Sequence, residues 1–248
     1  MSRVLFAALL LLCGSVAGAA ELELAHGEDA LSRSLPTWRE TSLRAAWSRS
    51  GMGAGATVRR VERFAREDWE LAASAYAPLG SRWTLGLEAS GSATHHVIPA
   101  WSAGARAQYT LTRGLVTSSG LRWSRYEDDA VSTGVAIGNV GLEYYRGAHR
   151  FAWTTFVSRV EGEHSASHAA AWEVFFRARD RAGVVLSAGR ELESIGGGRV
   201  LATDVLGAAI VGRTGLAGAW SLTYGLHLQR QGELYSRSGG RLGLVREF

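Results

Sequence analysis

From about residue 21 to the last residue, apolar and polar positions alternate with a period of two. Arg82 to Ser90 sets Trp83, Leu85, Leu87 and Ala89 on one face and Thr84, Gly86, Glu88 and Ser90 on the other. Trp101 to Leu111 opposes Trp101, Ala103, Ala105, Ala107, Tyr109 and Leu111 to Ser102, Gly104, Arg106, Gln108 and Thr110. Trp220, Leu222, Tyr224, Leu226 and Leu228 likewise oppose Ser221, Thr223, Gly225, His227 and Gln229. Successive side chains of a strand point to opposite faces, whereas helical spacing would mix the two sets. Looser alternation runs through Glu21–His26, Ser42–Ser48, Gly55–Phe64, Trp69–Tyr76, Leu115–Ser124, Val131–Tyr144, Arg150–Arg159, His168–Arg177, Gly183–Arg190, Thr203–Gly212 and Arg241–Phe248. Turn signals such as Pro78-Leu79-Gly80-Ser81 and Arg146-Gly147-Ala148 separate them. Val131–Tyr144 changes phase near Gly138-Asn139, which predicts a bulge there. The expected fold is one all-β domain.

Alternation alone does not say which face meets solvent. In a sandwich the apolar face turns to a core, and in a membrane barrel it turns to lipid. Three features favour the barrel. The segments are about ten residues long, the length a tilted strand needs to span a bilayer. Trp69, Trp83, Trp101, Tyr109, Trp220 and Tyr235 stand near strand ends, as interfacial girdles require. The chain also stops at Phe248 on an alternating strand with Leu242 and Leu244, the form of a membrane-insertion signal. The prediction is a single antiparallel transmembrane β-barrel of about 12–14 strands over residues 20–248.

Composition sharpens this picture. The chain has 248 residues, 46% of them hydrophobic, which argues against disorder. All its basic residues are arginine, and the formal net charge is +4. The arginines are scattered among Glu, Ser and Gly rather than clustered, so no nucleic-acid partner is expected. Residues 1–19 read as a signal peptide. Met1-Ser2-Arg3 is a positive start, Val4 to Cys13 an apolar core, and Ala17-Gly18-Ala19 a small-residue cleavage site. Cys13, the single cysteine, lies inside it, so the exported chain has neither disulfide nor thiolate chemistry.

Candidate chemistry follows from the faces. Glu88, Arg106, Gln108, Arg122, Glu173, Arg177, Thr223, His227 and Gln229 share the polar phase and are the lumen-lining candidates, with Tyr76 and Phe175 as aromatics beside them. Charges in a low-dielectric barrel need partners, so Arg–Glu pairs between neighbouring strands are expected. One reading of that lining is a passive channel or export conduit for polar or saccharide solutes. The other is an inert barrel filled by its own salt bridges. A third reading is a lipid-modifying or proteolytic enzyme at one rim. His164-Ser165 and Ser167-His168 juxtapose hydroxyl and imidazole, and Asp128-Asp129 and Asp204 are acidic. Adjacent strand residues point apart, however, and Asp128-Asp129 reads as a turn, so no catalytic residue is assigned. His95-His96 has no third ligand at a metal-binding spacing, so neither metal nor cofactor is expected.

A family resemblance is carried by Arg63-Phe64, by Tyr76-Ala77-Pro78-Leu79-Gly80-Ser81-Arg82-Trp83-Thr84-Leu85 and by Thr94-His95-His96-Val97-Ile98-Pro99-Ala100-Trp101-Ser102. Ala166-Ser167-His168, Gly189-Arg190-Glu191-Leu192-Glu193-Ser194-Ile195-Gly196 and Gln231-Gly232-Glu233-Leu234-Tyr235 through Phe248 extend it over nearly all of residues 20–248. The chain resembles the YaiO family of outer-membrane β-barrel proteins. The resemblance implies an outer-membrane location and no established enzymatic site. It also implies contact with outer-membrane lipid and lipopolysaccharide, and delivery by the barrel-assembly machinery. A similar barrel forms the membrane part of poly-N-acetylglucosamine exporters, whose periplasmic helical repeats have no counterpart in this sequence.

Overall fold

A computed structural model describes residues 19–128, 131–196 and 199–248. The signal peptide expected over residues 1–19 thus lies outside the described residues except for Ala19, and so does Asp129. Fourteen strands form a closed barrel in which every neighbouring pair is antiparallel and β1 pairs with β14. The first seven strands are β1 (Ala19–Leu31), β2 (Trp38–Arg49), β3 (Met52–Arg63), β4 (Arg66–Leu79), β5 (Trp83–Ser92), β6 (Trp101–Thr112) and β7 (Leu115–Asp128). They continue with β8 (Val131–Arg146), β9 (His149–Val160), β10 (Glu163–Phe175), β11 (Arg181–Gly196), β12 (Arg199–Gly215), β13 (Trp220–Gln231) and β14 (Tyr235–Glu247). Closure leaves no free sheet edge, the condition for a β-structure to sit in hydrocarbon. The seam is joined to its last residue, where Phe248 N–H donates to the Ala20 carbonyl at 2.9 Å.

The register fixes the faces. Trp83, Leu85, Leu87 and Ala89 pair with Tyr109, Ala107, Ala105 and Ala103 on the outer surface, and Thr84, Gly86, Glu88 and Ser90 pair with Gln108, Arg106, Gly104 and Ser102 inside. Leucines on the outer face are left open, Leu87 at 67% exposure and Leu121 at 62%. A soluble protein would not display them in a continuous belt. We call the end where β1 begins and β14 stops the near end. Trp83, Tyr109 and Trp220 ring the belt there, and Trp69 and Trp101 ring it farther up. Tyr235 departs from the expected girdle. Its register partner Gln231 is buried on the inner face, and the ring lies 5.3 Å from Trp38 inside the barrel with 5% exposure.

The bulge expected at Gly138-Asn139 is absent, because β8 pairs with β7 and β9 in unbroken register through both residues. The irregularities fall instead between Thr110 and Thr112 and between Ser194 and Gly196. The apparent change of phase has another cause. Val135 and Ile137 are inward residues of the same face as Asn139, Gly141 and Glu143. That face turns from apolar at the far end to polar at the near end.

Candidate functional site

The lumen is divided along its axis. In its near half, a cavity of about 830 Å³ lies against the inner faces of β4 to β9 and reaches the near rim at Gly51 in the β2–β3 turn. Glu88, Arg106, Gln108 and Arg122 line it, together with Tyr76, Asn139, Thr154 and Phe156. A smaller cavity of about 160 Å³ shares Ser74, Glu88 and Arg122 with the first and continues it to Ser90 and Ser102, where the two hydroxyl oxygens lie 2.7 Å apart. These two serines stand close to the start of the β5–β6 connection, residues 93–100.

That connection folds in over the far ends of β3 and β4. Val97 and Ile98 are 2% and 3% exposed and form an apolar cluster with Val61 and Phe64. Asp68, with 0% exposure, is the anchor. Its carboxylate accepts the backbone N–H groups of His96 at 2.9 Å, Val97 at 2.7 Å and Ile98 at 3.1 Å, and lies 2.9 Å from His96 Nδ1. A buried carboxylate is tolerated where several N–H donors replace its water. Phe64 and Ala65, which turn β3 into β4, both hold positive φ (52° and 59°), a conformation that costs a side-chain-bearing residue about 1–2 kcal/mol. The Phe64 ring offsets it by packing edge-on against Trp38 at 5.1 Å, and Arg63 stacks over Trp38 at 4.6 Å. Below this connection, Arg59 bridges Glu70 at 2.5 Å and Glu40 at 3.3 Å.

On the other side of the lumen the far half is packed. Val135, Val160 and Val205 are buried, as are Ser165, Ser167 and Gln231. Cα atoms of β8 and β12 approach within 8 Å of each other, although three strands separate them in the ring. Ion-pair clusters hold the wall lower down. Arg213 joins Glu21 at 2.9 Å to Glu247 at 2.6 Å, and Arg150 joins Glu143 at 2.9 Å to Glu173. Thr223 donates to Glu23 at 2.9 Å, and polar pairs run into the far half as well, where His227 lies 2.9 Å from Asp29 and Gln229 accepts from Arg237 at 2.6 Å.

Eight of the nine lumen candidates therefore fall on the inner face, four of them in the large cavity. Arg177 does not. β10 ends at Phe175, and Arg177 sits in the near-end turn, 3.7 Å from Asp180 and largely exposed. The rim pairs do not assemble either. Ser165 and Ser167 turn inward, while the His168 ring stacks at a tilt on Trp153, with Nδ1 3.0 Å from Thr155 Oγ1. His96 is held by Asp68, and Asp204 pairs with Arg190 at 3.6 Å. Among the described residues no three His, Cys, Asp or Glu side chains gather as a metal-binding set. Sequence reasoning missed Asp68, Trp38 and the 93–100 connection. A visible signal was the apolar run Val97-Ile98 inside a connection between two predicted strands.

A closed, fourteen-stranded antiparallel barrel with an apolar belt and a polar lumen is a bacterial outer-membrane β-barrel protein. The chain belongs to the family of the YaiO membrane beta barrel domain, whose profile matches residues 19–193. No curated protein matches the sequence significantly. Among solved structures the fold is similar to the CymD monoaromatic hydrocarbon channel, with a TM-score of 0.59 and 9% identity, covering 100% of this chain and 93% of that one. It is also similar to the NanC porin, at a TM-score of 0.52 and 13% identity over 91% of this chain and 98% of that one. A third is Salmonella typhi OmpF in complex with daunomycin, at 0.51 and 9% identity over 94% and 97%. At these identities the likeness is one of fold.

Proposed function

We propose that the protein is a gated conduit for small polar or saccharide solutes, closed at rest by its β5–β6 connection. The observation that carries this reading is the polar cavity of about 830 Å³, which continues into a second cavity lined by Ser90 and Ser102, on the strands that the 93–100 connection joins. A barrel meant only as a wall has no need of a vestibule that size, which falls in the range of ligand-binding cavities. Tyr76 and Phe156 beside Gln108 and Asn139 suit a ring-shaped polar solute, with apolar faces to stack and amides to bond hydroxyls. The connections at the near end are mostly tight turns while the far end carries the connection of residues 93–100, so by the usual asymmetry of such barrels the vestibule opens to the periplasm. Export through the signal peptide, insertion through Phe248 by the barrel-assembly machinery, and a belt bathed in lipid and lipopolysaccharide complete the reading.

The test is single-channel recording of the refolded chain in a planar bilayer, beside a variant lacking His95–Pro99. The intact protein is expected to give sparse, small steps and the shortened one steady ohmic conductance. Silence from both, when both show heat-modifiable electrophoretic mobility, would make the protein an inert structural barrel.

A further inference from the structure

We infer that the vestibule holds a binding site for a carboxylate- or phosphate-bearing solute, built on Arg106 and Arg122. The inference deepens the reading of the vestibule as a solute site, and its test does not depend on conduction.

The two joined cavities are lined by three guanidinium groups, Arg44, Arg106 and Arg122, and by one carboxylate, Glu88. None of the three arginines is tightly held by a carboxylate. Their ion-pair contacts are long: Arg106 to Glu143 at 3.6 Å, Arg122 to Glu88 at 3.7 Å and Arg44 to Glu21 at 3.6 Å. Two of those carboxylates bond more closely elsewhere. Glu143 accepts from Arg150 at 2.9 Å and from the Tyr145 hydroxyl at 2.8 Å, and Glu21 accepts from Arg213 at 2.9 Å. Each guanidinium has five N–H donors. Among the described residues, Arg122 also donates to Ser102 Oγ at 3.0 Å. The Arg106 and Arg122 side chains are 54% and 44% exposed, an exposure that inside a barrel faces the lumen.

The strand register makes these two arginines a pair. Arg106 stands opposite Gly120 on β7, and Arg122 stands opposite Gly104 on β6. They are diagonal neighbours, about 7–8 Å apart at the backbone, within reach of one polyanionic ligand. Neither glycine contributes a side chain to fill the space. A Cβ at Gly104 would lie 2.9 Å from the Glu88 carboxylate, and one at Gly120 would lie 2.9 Å from the Asn139 amide. The glycines thus let Glu88 and Asn139 lie flat against the wall and keep the ground in front of the arginines clear. Walls of low dielectric focus the field of the unbalanced positive charge into the cavity. An incoming anion displaces Glu88 from Arg122 and gains forked hydrogen bonds that a neutral solute cannot make.

The test is calorimetric titration of the full refolded chain in detergent at low salt, with citrate and inorganic phosphate as the two anionic probes and glucose as the neutral one. Citrate or phosphate is expected to bind at least tenfold more tightly than glucose, and the preferred probe tells carboxylate from phosphate. The double variant Arg106→Gln with Arg122→Gln is expected to lose that affinity at least tenfold, and Glu88→Gln to gain about two- to tenfold. Lysine at both positions, keeping the charge, should restore most of what glutamine loses. Absence of anion binding in the folded wild type, equal affinity for glucose, or unchanged affinity in the double variant each overturns the site. A protein that binds citrate yet never conducts keeps the site and removes the conduit, whereas one that conducts without binding either anion does the reverse.

Discussion

The two halves of the lumen are built from the same fourteen strands yet obey different rules. In the near half the inward positions of β5 to β8 carry Glu88, Arg106, Gln108, Arg122 and Asn139 around an open cavity. In the far half the inward positions carry Val61, Val135, Val160 and Val205, all at most 5% exposed, together with Val97 and Ile98 from the connection that folds in. The near half behaves as a polar surface that happens to be concave. The far half behaves as a protein core, in which lost volume or unpaired charge is felt directly. A fourteen-stranded barrel has room for both because its interior is wider than side chains alone can fill.

The largest effect expected from this contrast is electrostatic. Val135→Asp would bury an unpaired charge in the packed half and should lower unfolding stability by about 3–5 kcal/mol, read from urea unfolding in lipid vesicles. Thr154→Asp, on the vestibule wall, should change it by less than about 1 kcal/mol. Equal losses would erase the distinction between the halves. Next comes the anchor. Asp68→Ala removes a carboxylate that takes three backbone N–H groups, and should cost about 2–3 kcal/mol while exposing residues 93–100 to protease. A variant cut no faster than wild type would show that the apolar contacts of Val97 and Ile98 hold the connection alone. Smaller still is Val205→Ala, expected to cost about 2 kcal/mol, against well under half that for Ile137→Ala, since Ile137 borders an existing cavity. The smallest is Arg122→Gln, whose long, half-exposed contact with Glu88 predicts a stability change within about 0.5 kcal/mol. If Arg122 serves a ligand, its stability cost and its binding cost should separate.

The contrast also explains where the sequence misleads. Val131–Tyr144 looks out of phase because Val135 and Ile137 are as apolar as Val140 and Leu142 across the sheet. A period-two pattern reports a strand only while its two faces differ in polarity, and the packed half removes that difference. Tyr235 fails as a girdle residue for the same reason, being an aromatic whose partners are Trp38 and Phe64 inside. Arg177 continues the inward phase on paper, but two residues beyond the end of β10 the chain has already turned.

The sequence by itself determined that this chain is a barrel of about 12–14 spanning strands, because alternation, strand length and turn residues are local and repeat along the chain. It also placed most inward charges, since facing follows from counting by two. Only the tertiary structure decided which of those charges hold one another and which face open space. Arg150 and Arg213 each sit between two carboxylates, while Arg106 and Arg122 do not, and that depends on which strands become neighbours and in what register. The packing of the β5–β6 connection on Asp68 belongs to the same class. Asp68 and Ile98 are 30 residues apart in the chain, and nothing local tells a carboxylate at a strand end that it will be closed over by a connection arriving from the next hairpin.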